Sequence, residues 1–263
     1  MQHFMSLMWR IALIFVLIEC LPQTAEAQMF SVPSRDESSY GGGNALTAGY
    51  VLFDWTVTTK SGNTRTERLH FQNGRMYQLT YTSPNLLLSA GLATPEYCYA
   101  EEASCTFSLR DVHAISMSSI PLRQRTKLSL QIPVGIQFDY RKVGPEDRLN
   151  TPGYYYGITV PHLVTGLNGQ LSVGQRGRLL LHALAGPGLV VETMDNGLGF
   201  GYSAEAGAEL QIAKLLKRYG LSVGLDYRRH FWDVKFTGLK FDPTTEQTSY
   251  KGQQTGFRVG LLF

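Results

Sequence analysis

Histidines are the residues of this chain best suited to acid–base or metal chemistry, because the imidazole changes charge near neutral pH. Five of them follow residue 27, at positions His70, His113, His162, His182 and His230. The densest polar cluster is Asp226, Arg228, His230 and Asp233, and its first three members would share one face of a β-strand. The sequence has no glycine-rich phosphate loop, HExxH motif or nucleophile elbow. We therefore expect an internal hydrogen-bond network here, with no enzyme activity, no metal and no cofactor.

The bulk composition narrows the class of protein. The chain has 263 residues, with 24 Lys and Arg against 21 Asp and Glu, which gives a formal net charge of +3. The basic residues are spread along the chain instead of forming a stripe, so we expect no nucleic-acid partner. The length fits one large all-β domain.

Residues 1–27 have the pattern of a secretory signal peptide. Arg10 provides a positive charge, residues 11–18 are apolar, and Ala25-Glu26-Ala27 is a small-x-small cleavage site. A membrane-spanning helix is the alternative, but the apolar run ends at Glu19, well short of the roughly 20 residues needed. We expect export, cleavage after Ala27 and a mature domain of residues 28–263.

Two cysteines, Cys98 and Cys105, remain after the signal peptide. Disulfides persist in the compartments that exported proteins reach, so we expect these two to pair. The enclosed segment is polar and acidic, and the bond would close an exposed loop.

Alternating apolar and polar residues predict β-strands, because successive strand side chains point to opposite faces. The clearest run is 127–141, whose apolar positions are Leu128, Leu130, Ile132, Val134, Ile136, Phe138 and Tyr140. The same pattern returns in 200–212, 219–228 and 257–263. It is weaker in 51–57, where the apolar set is Val51, Phe53, Trp55 and Val57.

Alternation alone fits a soluble lipocalin-like barrel as well as a transmembrane barrel. Three features favour the membrane: aromatic residues at the ends of the apolar stripes, polar faces that mix glycine with opposite charges, and a final aromatic residue, Phe263. A lipocalin would also be expected to carry Gly-x-Trp, and Phe53 stands in the glycine position before Trp55. We therefore expect the apolar stripes to face lipid.

The polar faces of these strands carry charges of both signs. In a narrow lumen they would pair, since a charge facing lipid at the bilayer midplane costs about 2–4 kcal/mol. The predicted lumen network consists of Lys127, Asp139, Arg141, Glu205, Glu209, Asp226, Arg228 and Arg258.

The terminal segment 257–263 resembles the C-terminal assembly signal of Gram-negative outer-membrane β-barrel proteins, carried by Phe257, Val259, Leu261 and Phe263. Ile132-Pro133-Val134-Gly135 resembles a strand segment of small Bacteroidetes-type barrels. The resemblance implies an outer-membrane location and recognition by the barrel-assembly machinery. It covers most of residues 28–263 in pattern but few residues in identity.

Counting strands backwards from the terminus predicts an antiparallel up-and-down transmembrane β-barrel. We favour eight strands, at 46–59, 105–119, 127–141, 163–173, 178–192, 199–213, 219–236 and 253–263. This leaves residues 60–104 as a long first extracellular loop, with 65–71 and 76–81 forming a hairpin around Asn73-Gly74. The alternative is that the hairpin joins the wall and the barrel has ten strands.

The leading functional hypothesis is a non-enzymatic barrel with a structural, surface-contact or accessory-subunit role, in contact with outer-membrane lipids and possibly part of a larger complex. A narrow channel for ions or small solutes is the second hypothesis, because the inner faces are polar. A lipid-modifying enzyme is the third. A lipid A deacylase would be expected to contain His-x-Ser-Asn, and none of the five histidines has serine two positions later.

Overall fold

The computed structural model describes residues 44–83, 85–95, 107–124, 127–145, 156–192, 197–216, 219–235 and 246–263. All of them belong to the second of two units, residues 36–263. The predicted signal peptide and the pair Cys98 and Cys105 lie outside these ranges. Export, cleavage and the disulfide therefore stay predictions.

Within the described residues, ten antiparallel strands close into one barrel. They are β1 (Ala45–Ser61), β2 (Thr64–Thr82), β3 (Leu86–Ala93), β4 (Phe107–Gln124), β5 (Leu128–Pro145), β6 (Tyr156–Val173), β7 (Gly177–Glu192), β8 (Leu198–Leu216), β9 (Tyr219–Lys235) and β10 (Gln247–Leu262). Each strand pairs with its sequence neighbours, and β10 pairs with β1. Each described strand therefore has a hydrogen-bonded neighbour on both sides, although β3 pairs with only the last part of β2, Tyr77–Thr82. The predicted all-β up-and-down barrel is confirmed.

The predicted strand number of eight is wrong, and the alternative of ten is correct. The predicted first loop, residues 60–104, contains β2 and β3 in its described part. Asn73-Gly74 is not a hairpin turn either. It lies inside β2, where Asn73 has a φ of 54° and the register with β1 shifts between Phe53 and Trp55. A residue with positive φ suits a β-bulge as well as a tight turn, so the dipeptide alone does not distinguish them.

An apolar belt surrounds the barrel. On β9 the outward residues from Tyr219 to Tyr227 are apolar or aromatic, and on β10 the same holds from Phe257 to Phe263. The β9 stretch covers about 26 Å along the strand, or about 20 Å of height at a tilt of about 40°. This is comparable to the roughly 25 Å apolar band of transmembrane barrels. Among the described residues, no helix is long and apolar enough to cross a membrane.

The barrel continues beyond the belt on the side opposite the C-terminus, and there its two faces exchange character. Val51, Phe53, Trp55 and Val57 are buried inside, while Asp54 and Thr56 point outward. The expectation that this apolar set faces lipid is wrong. Where the outside is water and not lipid, the same alternation places apolar side chains inside, as in a soluble barrel.

Candidate functional site

Inward-facing residues of β4, β5, β8 and β9 form a buried charge cluster at the level of the belt. Asp139 on β5 is its centre on one side of the lumen. Its Oδ1 lies 2.7 Å from His113 Nδ1, and Gln137 Nε2 donates to its Oδ2 at 2.7 Å. His162 Nε2 is 3.2 Å from Oδ2, and Arg228 Nη1 is 3.5 Å from Oδ1. Asp139 thus has four polar neighbours and is 3% exposed.

Glu205 on β8 is the second centre, facing Asp139 across His113. Arg228 Nε donates to Glu205 Oε2 at 3.1 Å, and His113 Nε2 lies 3.1 Å from the same oxygen. His182 Nε2 is 3.3 Å from Oε1. Because His113 reaches both carboxylates with its two ring nitrogens, it joins opposite walls of the barrel.

A second group of ion pairs lies nearer the C-terminal end of the lumen. Arg258 Nη2 donates to Glu209 Oε2 at 2.9 Å, and Arg258 Nε is 3.2 Å from Asp226 Oδ2. Ser222 and Gln211 donate to Glu209 Oε1 at 2.8 and 2.7 Å. Glu209 is therefore surrounded by donors from β8, β9 and β10.

A third group lies towards the opposite end. Arg141 donates twice to Asp111 Oδ1, from Nε at 2.9 Å and from Nη2 at 2.7 Å. Its Nη1 donates to His230 Nε2 at 2.9 Å. The Arg141 guanidinium also lies over two indole rings, 5.4 Å from the Trp55 centroid and 5.7 Å from that of Trp232. Arg141 therefore connects the charge cluster to the aromatic side chains beyond it.

Those aromatic side chains form a layer across the lumen, which we call the aromatic plug. Its members are Phe53, Trp55, Phe71, Phe107, Trp232 and Tyr250. Trp55 stacks on Phe71 and on Tyr250, with centroids 6.3 and 6.1 Å apart. Trp55 and Trp232 are each 1% exposed and Tyr250 is 0% exposed. The plug therefore lies between the charge cluster and the end of the barrel opposite the C-terminus.

The structure brings together most of the predicted lumen network. Asp139, Arg141 and Arg228 lie in the cluster, with Glu205, Glu209, Asp226 and Arg258. Lys127 does not belong to it. This lysine is exposed in the bend that precedes β5, because the strand begins one residue later than the alternation predicts. Asp233 also lies elsewhere: it faces outward, where Ser249 and Gln247 donate to it.

Sequence reasoning missed Asp111, the central role of His113, and the whole aromatic plug. Asp111 and His113 face inward on β4 between Leu109 and Ile115, so their face mixes apolar with charged residues and gives no polar stripe. The sequence signal that identifies Asp111 and His113 as inward-facing is the two-residue spacing of Leu109, Asp111, His113 and Ile115. This spacing places all four side chains on one face of a strand.

The chemistry of the cluster is that of paired buried charges. Pairing offsets the cost of burying each ion only when hydrogen bonds satisfy the remaining donors and acceptors. Asp139, Glu205 and Glu209 each have several polar neighbours, whereas Asp226 Oδ1 and His230 Nδ1 are buried without a hydrogen bond. Within the described ranges, no three His, Cys, Asp or Glu side chains are arranged to hold a metal ion. Asp139, Glu205 and His113 are all buried.

No family model matches the sequence, and no curated protein is significantly similar to it. Several solved structures are similar in backbone shape. The outer membrane protease OmpT from Escherichia coli matches with a TM-score of 0.43 and 9% identity, over 85% of this chain and 97% of that one. The attachment invasion locus protein Ail of Yersinia pestis has a TM-score of 0.26 and 12% identity, over 85% and 99%.

The translocator domain of the autotransporter NalP from Neisseria meningitidis has a TM-score of 0.31 and 11% identity, over 90% of this chain and 95% of that one. These proteins differ in role, and no role is transferred from them. The Bacteroidetes-type assignment stays a prediction.

Proposed function

We propose that this chain is a small outer-membrane barrel with a closed lumen, which serves the cell envelope through its structure and its outer surface and not through transport. The observation that carries the proposal is the aromatic plug above the charge cluster. Trp55, Trp232 and Tyr250 fill the lumen at one level, and the network around Asp139 and Glu205 fills it at the next. An eight- to ten-stranded barrel is narrow enough for its own side chains to fill it.

The proposed location follows from the belt and from the terminal strand. Phe257, Val259, Leu261 and Phe263 all point outward and are 39–53% exposed, which suits lipid contact. We retain the proposal that this strand is recognised by the barrel-assembly machinery. An accessory role in a larger outer-membrane complex is compatible with the same surface.

The channel hypothesis predicts unitary conductance, and the closed lumen predicts none. We expect the folded protein to give no unitary current steps in planar lipid bilayers, because two layers of buried side chains block the path. The matched variant Trp55→Ala/Trp232→Ala removes the largest side chains of the plug and keeps the charge cluster, so current steps in this variant would show that the plug is the layer that blocks the path. Regular current steps from the unaltered protein would contradict the proposal. If the double variant also gives no current steps, the charge cluster alone blocks the lumen.

A further inference from the structure

A cavity of about 170 Å³ lies on the outer wall of the barrel, where β2, β1, β10 and β9 stand side by side. We call it the outer-wall cavity. Its lining includes three cations, one aromatic ring and one carboxylate, which are Lys60, Arg65, Lys251, Phe231 and Asp233. Lys60 lies eight positions further along β1 than Leu52, the last apolar outward residue of that strand, or about 26 Å along the strand. The cavity is therefore well beyond the apolar belt.

Two of the three cations stand directly opposite each other. Lys60 on β1 and Arg65 on β2 are register partners, and both line the cavity. Side chains in this arrangement have Cβ atoms about 4.5–5.5 Å apart, and like charges there repel. Among the described residues, no carboxylate forms an ion pair with either cation. An anion that accepts hydrogen bonds from both would turn this repulsion into a gain.

The two acidic residues closest to this pair make other contacts. Glu67 lies opposite Thr58 on the neighbouring strand, and its carboxylate is 3.3 Å from His70 Nδ1. Glu246 contacts Lys60 through the backbone, where its N donates to Lys60 O at 2.8 Å. The positive charge of Lys60 and Arg65 is thus available to a ligand.

The β9 and β10 side of the cavity offers different chemistry. Lys251 Nζ lies 5.6 Å from the ring centroid of its register partner Phe231. Asp233 accepts hydrogen bonds from Ser249 Oγ at 2.7 Å and from Gln247 Nε2. An ionised carboxylate has about four acceptor sites, so Asp233 can accept from further donors such as hydroxyl groups. A site for a simple inorganic anion would gain nothing from a carboxylate or an aromatic ring.

We infer that the outer-wall cavity binds a short segment of an acidic polysaccharide, with a sugar acid group between Lys60 and Arg65 and the hydroxyl groups of a neighbouring sugar donating to Asp233. Such a segment combines an anion, hydroxyl donors and C–H groups that can pack on Phe231. The four strands span roughly 14 Å, at about 4.8 Å between neighbours, which is wider than one sugar unit. The inference rests on the outer-membrane location in the proposed function but does not depend on a closed lumen.

The test measures disaccharide binding to the purified folded barrel by ligand-observed NMR titration, in a detergent without a sugar headgroup. The probes are cellobiouronic acid, its neutral counterpart cellobiose, and inorganic phosphate. We expect cellobiouronic acid to bind best. Lys60→Gln/Arg65→Gln should weaken that binding by about two- to fivefold for each cation removed, as for exposed ion pairs. Lys60→Arg/Arg65→Lys should keep most of it.

Asp233→Asn distinguishes a sugar site from a plain anion site. Loss of the negative charge should strengthen phosphate binding more than disaccharide binding, because asparagine offers fewer acceptors to sugar hydroxyls. An equal gain for both probes would overturn the inference. Hyaluronate and the core oligosaccharide of lipopolysaccharide, offered separately, then distinguish a polysaccharide of other cells from one of the cell's own outer leaflet.

Arg75 and Arg229 provide a matched control, because both are exposed on the outer wall but lie outside the cavity lining. Arg75→Gln/Arg229→Gln removes the same charge and should leave disaccharide binding unchanged. Equal losses in the two double variants, or equal binding of cellobiose, would overturn the inference. Phosphate binding as tight as that of cellobiouronic acid would also overturn it. Absence of disaccharide binding by a barrel that gives no current steps would overturn this inference and leave the proposed function untouched.

Discussion

Replacement of Asp139 by alanine is expected to destabilise the folded barrel by about 3–5 kcal/mol, the usual cost of removing one partner from a buried charge pair. Asp139 accepts from Gln137 and His113 at 2.7 Å and lies 3.5 Å from Arg228, which is itself buried. Without the carboxylate, the Arg228 guanidinium loses one of its counter-charges inside the lumen. Urea unfolding in lipid vesicles, followed by tryptophan fluorescence, measures the change.

Two variants sharpen this measurement. Asp139→Asn keeps an oxygen acceptor and removes the charge, so its effect should lie between those of the unaltered protein and Asp139→Ala. Glu67→Ala removes an exposed carboxylate on the outer wall, whose partner is the exposed His70 at 3.3 Å. Exposed pairs contribute roughly 0–1 kcal/mol, so this control should change little. A loss below about 1 kcal/mol for Asp139→Ala would show that the cluster is not a stabilising unit.

Substitution of Leu225 by arginine is expected to cost up to about 2–4 kcal/mol of barrel stability, because it places a charge within the lipid-facing belt. Leu225 is outward-facing and 55% exposed, and it lies between Val223 and Tyr227, the aromatic residue at the end of the apolar stripe of β9. The same unfolding measurement in vesicles reports the difference.

Thr58→Arg is the control for Leu225→Arg. Thr58 also points outward, but on β1 it lies six positions beyond Leu52, where the wall faces water. Its substitution should cost close to nothing. Equal effects at the two positions would mean that the belt does not face lipid.

The strands that cross the belt could be predicted from the sequence, because an apolar outer face and a polar inner face produce a strict alternation. Residues 128–140 and 219–227 show it, and they lie within β5 and β9. Strand β3 has the sequence LLLSAGLA, in which apolar and small residues occur on both faces, so period-two sorting is lost. The sequence therefore predicts a loop for these eight residues.

The orientation of strand segments beyond the belt could not be deduced from alternation. Trp55 and Trp232 are plug residues on the inner faces of β1 and β9. Alternation is the same whether the outer face contacts lipid or water, so the pattern does not show where along a strand these surroundings change. Trp232 follows His230 and Arg228 on the inner face of β9, so one face passes from charged to aromatic. On β9 the outward residue after Tyr227, the aromatic end of the apolar stripe, is the basic Arg229. This switch from aromatic to basic is the local sequence signal of that change.

Which inward-facing side chains contact each other is a further property that depends on the closed barrel. Gln137 on β5 donates to Ser203 on β8 at 2.9 Å, across 66 residues of sequence. Such a contact requires the curvature of the closed wall, since β5 and β8 are not neighbours in the sheet. The sequence indicated which residues face inward but not which of them meet.

The most direct test of the account is a cysteine scan of β9 from Leu221 to Asp233, with a fluorophore on each cysteine and a quencher attached to the lipid acyl chains. A barrel whose apolar belt faces lipid predicts strong quenching at Leu221, Val223 and Leu225 and weak quenching at Ser222 and Gly224. It also predicts weak quenching at Arg229 and Asp233, which lie beyond the belt. Strong quenching at Ser222 and Gly224, or none at Leu225, would contradict a barrel whose apolar belt faces lipid and whose charges fill the lumen.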